Sequence, residues 1–236
     1  MIKVQRPEAV YYLPQGLPQK NIKRFEQEGS EPWLRNRMIE LLNHRPGSVI
    51  SAGTYVGGLL PYLSKHASVV YAWEPVKEHY KCTKKMLRTN SIANVLLHHA
   101  ALGNAHTPID ITTGCEGSDW LGGASSVVSN DIVVSPLLSQ GNWQWRTQTV
   151  TQNCIDDFEY DNLSILQLDL EGYELTALQG AVHTIKQHTP WIIVENPSTE
   201  LNSWLETHSY SFQEHYAGDS VYKYTKGADH VNKTTK

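Results

Sequence analysis

The feature that most constrains this chain is an alternation that begins at Ser48. Short runs rich in Val, Ile and Leu recur at Ser48–Ala52, Ser68–Trp73, Asn94–His98, Ser164–Leu168 and Trp191–Glu195. Runs that are apolar throughout, rather than at every second residue, suit parallel strands buried on both faces. Helical spacing fills the gaps over Gly58–His66, Val76–Asn90 and Gly172–His188, the last with Leu175, Leu178, Val182 and Ile185 in one stripe. Strand then helix, repeated, builds βαβ units: an α/β fold with a mostly parallel sheet and helices on both faces.

The flanks obey other rules. Residues 1–46 are broken by Pro7, Pro14, Gly16 and Pro18 and read as an extended lead-in and a helical cap. A short helix is expected at Lys20–Gln27, and a second one starts at Ser30-Glu31-Pro32, with Ser30 as its cap and Pro32 in its first turn. Leu34, Met38, Leu41 and Leu42 follow at helical spacing until Pro46-Gly47 stops the helix. Residues 109–151 interrupt the alternation, with extra strands expected at Ile109–Thr112 and Thr147–Thr151 around a Gly/Ser-rich stretch. Val221–Tyr224 reads as a final strand, and residues 226–236 as a disordered tail. A chain of 236 residues suits one such domain between the cap and the tail, over 47–225.

Composition narrows the function classes. With 40% hydrophobic and 19% charged residues the chain is globular rather than disordered. A net charge of −4 argues against a strongly basic nucleic-acid binder, while leaving room for a local basic patch. The longest apolar runs, such as Trp191–Val194, are too short to span a bilayer. The first residues, MIKVQRPEAVYYLPQG, show no apolar signal region, so a cytoplasmic protein is expected. Cys82, Cys115 and Cys154 are odd in number and far apart, which excludes a disulfide framework and a CxxC site and reads as three free thiols. Eleven histidines without HxH or HExxH spacing give no preformed metal site.

Three constellations carry chemistry. The first runs from Val49 through Ser51, Gly53, Tyr55 and Gly57 to Gly58: a strand, a glycine-rich turn, then a helix. Glycine permits a sharp turn and close approach of a ligand, though glycine turns after strands also occur for packing alone. The spacing is neither GxGxxG nor a P-loop. The second is Glu74-Pro75 at the end of the next strand, about 20 residues on, where Rossmann-like folds place an acid that accepts from ribose hydroxyls. An acidic helix cap is the structural alternative. The third is Leu166-Gln167-Leu168-Asp169-Leu170-Glu171-Gly172-Tyr173-Glu174, which sets Asp169 and Glu171 at the carboxyl edge of the sheet. Glu174 reads as a helix N-terminal charge favoured by the dipole.

In order along the chain, VISAGTYVGG, YAWEP, NVLLHHAALGN, GGASSV, TVTQNCIDDF, LQLDLEGYELTALQGA and WIIVENP resemble the FkbM family of S-adenosylmethionine-dependent methyltransferases, across roughly residues 48–225. The most specific stretch is DLEGYELTALQGA. The resemblance implies a Rossmann-like class I methyltransferase fold with a seven-stranded sheet whose last strand is antiparallel. It implies S-adenosylmethionine as cofactor and methylation of a hydroxyl on a sugar, glycan or natural product. By position, Gly53, Tyr55 and Gly57 would border the methionine part and Glu74, with Pro75 after it, the ribose. His98, His99, Ala100 and Ala101 would flank the adenine, and Asp169 would lie by the methionine amine or sulfonium. Ser51 stands where the family usually has an acid.

Asp169, Glu171 and His99, in that order, are the candidate general bases for an alcohol acceptor. Residues 114–146, with Gly114, Gly117, Gly122, Gly123, Ser125, Ser126, Trp120, Trp143 and Trp145, are expected to shape the acceptor pocket, the tryptophans either stacking on a sugar or burying the loop. An NAD-dependent oxidoreductase and a non-catalytic nucleoside-binding module are the competing readings of the same sheet.

Overall fold

The computed structural model describes residues 1–28, 31–115, 125–128 and 145–225. The elements run β1 Ile2–Gln5, β2 Val10–Leu13, α1 Gln19–Glu28, α2 Pro32–His44, β3 Ser48–Ala52, α3 Leu60–His66, β4 Val70–Trp73, α4 Lys77–Thr89 and β5 Val95–His98. There follow β6 Ala101–Leu102, β7 Ile109–Cys115, β8 Trp145–Val150, β9 Gln152–Asn153 and β10 Leu163–Leu168. The last are α5 Glu174–Gln179, α6 Val182–His188, β11 Trp191–Glu195, α7 Thr199–Thr207, β12 Tyr210–Tyr216 and β13 Asp219–Tyr224.

Seven strands form the central sheet in the order β12-β13-β11-β10-β3-β4-β5. β13 runs antiparallel to both neighbours, and the other strands run parallel to one another. This is the expected class I methyltransferase sheet. Strand order reverses between β3 and β10, and in open α/β sheets the carboxyl edge at such a switch point opens a crevice.

Alternate residues of each strand feed two separate cores. Val49, Val70, Ile165 and Ile193 pack toward α2, α3, α4 and the N-terminal hairpin β1–β2. Ile50, Trp73, Leu166, Ile192 and Val194 pack toward α5, α6 and α7. Burying each such side chain contributes roughly 1.5–3 kcal/mol, so the continuous apolar runs are the cost of a sheet covered on both sides. β7 and β8 pair antiparallel outside this sheet, forming a hairpin that rises over its carboxyl edge, with Ile111 and Val127 in a third small core.

Three expectations need correction. The lead-in is not merely extended: Ile2 pairs with Leu13 and Gln5 with Val10 in an antiparallel hairpin. α2 is capped at Glu31, in left-handed conformation and without a side-chain cap bond; Ser30, the expected cap, lies outside the described residues, as does the tail 226–236. The helix expected over Gly172–His188 is two helices that meet at Gly180-Ala181. A Cβ on Gly180 would stand 2.0 Å from the Gly103 carbonyl oxygen. Asp156 reaches into the break, accepting from the backbone N–H of His183 at 3.0 Å and of Thr184 at 2.8 Å. An outside backbone and an outside carboxylate thus replace the helical bonds that one continuous helix would have made.

Gly180→Ala should therefore lower stability by roughly 1–3 kcal/mol, since backbone must move to admit the methyl group. Gly172→Ala, where a Cβ meets nothing within 4 Å but φ is +97°, should cost less. Urea midpoints of the two variants check the order.

Candidate active site

The turn after β3 is held from two sides. Gly53 and Gly57 both have φ +79°, and a Cβ on Gly53 would lie 1.7 Å from the Asp169 carbonyl oxygen. A Cβ on Gly57 would lie 2.7 Å from Met86 Cε. Close packing against the chain leaving β10 thus demands glycine at 53, and the left-handed φ favours it at 57, beside α4. Glu74, 3% exposed, follows β4. Its carboxylate accepts from the Tyr55 N–H at 2.7 Å and from the Val76 N–H at 2.9 Å, with His79 Nδ1 at 3.5 Å. A carboxylate has about four acceptor positions, so Glu74 keeps capacity for a ligand.

The turn after β10 mirrors this arrangement. Glu174 Oε1 accepts from the N–H groups of Leu170 at 2.8 Å and Gly172 at 3.2 Å. Glu171 is held at φ 52°, a strained conformation for a residue other than glycine. Glu195 ends β11 beside them. Carboxylate oxygens of Asp169, Glu171 and Glu195 lie within 4.8 Å of one another.

These turns enclose a cavity of about 360 Å³. At one end stand Asp169, Glu171 and Glu195; at the other Pro75, Val76, Ala100, Ala101 and Leu102, with Gly53, Tyr55 and Glu74 among the remaining lining residues. A second cavity of about 320 Å³ shares Gly53, Tyr55 and Asp169 with the first and is closed by Leu17, Asn21, Arg24 and Phe25 of the N-terminal cap. Burial, then the Glu195 carboxylate, pushes Asp169 well above the usual carboxylate range. The same two causes, with Glu174, raise Glu171 to about 7. Asp219, beside Glu195 in the sheet, is raised to about 7 by burial and by Glu31 and Glu195.

Of the residues singled out from the sequence, Gly53, Tyr55, Glu74, Pro75, Ala100, Asp169 and Glu171 line the first cavity. Ser51 lines only the second; it is buried and its hydroxyl donates to Gln167 Oε1 at 2.8 Å. Gly57 faces α4 and lines neither cavity. His99 lines neither cavity; it is exposed and stacks on Tyr80 with ring centroids 4.7 Å apart, while Ala100 beside it lines the first cavity. His98 instead stacks on Trp73, which is itself at the cavity wall. Ser125 lines the first cavity with its hydroxyl buried and unpartnered among the described residues. Gly117, Trp120, Gly122, Gly123 and Trp143 lie outside the described residues; Gly114 and Trp145 belong to the β7–β8 hairpin. Glu195 and His79 were missed. Glu195 carried a signal, an acid closing an apolar run as Glu74 does.

The model of the methyltransferase FkbM domain matches residues 52–217, and the chain belongs to that family of S-adenosylmethionine-dependent methyltransferases. No curated protein matches the sequence. The solved methyltransferase FkbM of Methylobacillus flagellatus is similar at 20% identity and a TM-score of 0.49, over 75% of this chain. The chain spans only 43% of that protein's length. The precorrin-6y C5,15-methyltransferase of Geobacter metallireducens is similar at 11% identity and a TM-score of 0.50, over 92% of this chain and 94% of that one, a likeness of fold. Among the described residues no helix is long and apolar enough to cross a membrane.

The raised carboxyls set a pH dependence of stability. Glu171 and Asp219 move from 4.5 and 3.8 up to about 7, so the folded state binds their protons more tightly. Their contribution is complete below the unfolded values and is lost as pH rises through about 7. The ligand-free chain should unfold at a lower temperature at pH 8 than at pH 5.5, and Asp219→Asn should flatten that fall. Thermal melts across the range decide it.

Proposed function

We propose that the chain methylates a hydroxyl oxygen of a small-molecule or glycan acceptor in the cytoplasm, with Glu171 as general base. The observation that carries the reading is Glu171 itself: half-buried, at the cavity wall beside Asp169 and Glu195, with its proton affinity near neutrality. A base is most effective when its pKa lies near the working pH.

The lining fits S-adenosylmethionine. Its sulfonium and ammonium are cations, and Asp169, Glu171 and Glu195 gather negative charge at one end of the cavity. The acid the family usually carries at position 51 is replaced by a neutral Ser51–Gln167 pair, so that charge comes from the ends of β10 and β11 instead. Glu74 offers acceptors to ribose hydroxyls, and Pro75, Val76, Ala100, Ala101 and Leu102 offer an apolar wall to a flat ring. When bound, the cofactor supplies an electrophilic methyl group on sulfur.

The protein then has two tasks. Its turns, pinned by Glu74 and Glu174, hold both reactants in one geometry. Glu171 takes the hydroxyl proton at a carboxylate oxygen. Asp169, buried beside Glu195 with its carboxyl held well above the usual range, serves to position rather than to abstract.

Glu171→Gln should slow transfer by roughly 10²–10⁴-fold at saturating cofactor. The wild-type rate should rise with pH through about 7, as Glu171 ionises, and that rise should vanish in the variant. Counting labelled methyl groups against pH tests this; an unchanged rate and profile would remove Glu171 from the mechanism. Glu74→Gln should weaken S-adenosylmethionine binding by roughly 1–3 kcal/mol in calorimetry, since one amide oxygen replaces a charged acceptor that also serves two backbone N–H groups.

A further inference from the structure

β10 is buried along its whole length, yet it carries an amide, Gln167, only 3% exposed. Gln167 stands opposite Ser51 in the register with β3, and the Ser51 hydroxyl donates to its Oε1 at 2.8 Å. That bond satisfies the carbonyl half of the amide. The other half, Nε2, has no partner among the described residues. A buried N–H left unpaired is costly, and an acceptor brought by a ligand removes the cost. Both residues line the second cavity, of about 320 Å³.

The cap supplies further polar lining. Asn21 of α1 lines the same cavity, and its side-chain amide has no partner among the described residues. Glu31, ahead of α2, lines it with Asp169, and the charge of Glu31 reaches the Asp169 carboxyl. Arg24 lines it too, already engaged within the chain. Amide donors and a pair of carboxylates in one cavity match the two ends of an α-amino acid, an anion for the donors and a cation for the acids. The first cavity shares Gly53, Tyr55 and Asp169 with this one, so the two meet at the turn after β3. Glu171 lines only the first, which on the reading above must also admit the acceptor hydroxyl.

We propose that the second cavity receives the amino-acid end of the cofactor, with Gln167 and Asn21 donating to its carboxylate and Asp169 and Glu31 taking its ammonium. The proposal rests on the cofactor placement above, in which Glu74 and the apolar wall hold the nucleoside in the first cavity. An acid at position 51 would present acceptors to the ligand; the Ser51–Gln167 pair presents a donor, and so faces the carboxylate rather than the ammonium. Asn21 and Glu31 lie outside the family domain, so this part of the site is built by the chain's own cap.

Truncated ligands test it by calorimetry on the full chain. 5′-Methylthioadenosine keeps the nucleoside and sulfur but lacks the amino-acid end, and decarboxylated S-adenosylmethionine keeps the ammonium but lacks the carboxylate. S-adenosylhomocysteine should bind at least about tenfold more tightly than methylthioadenosine, and S-adenosylmethionine at least about tenfold more tightly than its decarboxylated form. Ser51→Ala/Gln167→Met removes both partners of the buried pair at nearly constant volume. It should weaken the two carboxylate-bearing ligands at least about tenfold and leave the other two unchanged. Asn21→Ala, on the cap, should act in the same direction. Equal binding of S-adenosylhomocysteine and methylthioadenosine by the wild type overturns the proposal, as does a loss in the double variant shared equally by all four ligands, which marks a packing role. If the double variant does not fold, unchanged S-adenosylhomocysteine affinity in Asn21→Ala overturns it. A wild-type chain that binds none of the four overturns instead the cofactor placement on which the proposal rests.

Discussion

A carboxylate taken out of water must find donors, and the site of this protein is organised by that requirement at Glu74. Its oxygens are satisfied by two backbone N–H groups, one from the turn after β3 and one from the residue before α4. The bonds tie together two segments that meet only because β3 and β4 are neighbours in the sheet. Glu174 repeats the device on the turn after β10. In each case one buried side chain converts a loop at a strand end into a fixed surface, and the cavity is the space between the two fixed turns.

Much of this was legible along the chain. Trp191–Glu195 is a strand with the bounds its composition suggested, and the parallel sheet followed from runs apolar on both faces. What escaped depended on distant partners. The break at Gly180 exists because Gly103 and Asp156 arrive from elsewhere, and no local signal marks their arrival. The N-terminal hairpin is short and proline-flanked, yet it is fastened to the domain by Asn90, whose amide donates to the Val10 carbonyl at 2.8 Å and whose carbonyl accepts from the Val10 N–H. His99 follows a strand as a site residue would, yet it stacks on Tyr80, and it is the next residue, Ala100, that lines the cavity.

The carboxyl edge of the sheet carries more negative charge than burial favours. Asp169, Glu171 and Asp219 all hold protons more tightly than free carboxyls do, chiefly through desolvation. Binding of a cation there would relieve repulsion that folding has built up, and on the reading proposed above affinity for a positively charged cofactor would be linked to proton release.

The split between α5 and α6 also bears on motion. α5 has only six residues, too few to persist as a helix without its packing. Its own contacts, through Ala177 and Leu178 on the sheet, are separate from the Asp156 cap that begins α6. The segment Asp169–Gln179, which carries Glu171, would thus be the part of this edge to open most readily, ahead of α6 and the sheet. Exchange of its amide hydrogens would then proceed by local excursions rather than by global unfolding, and a bound ligand would slow exchange there first.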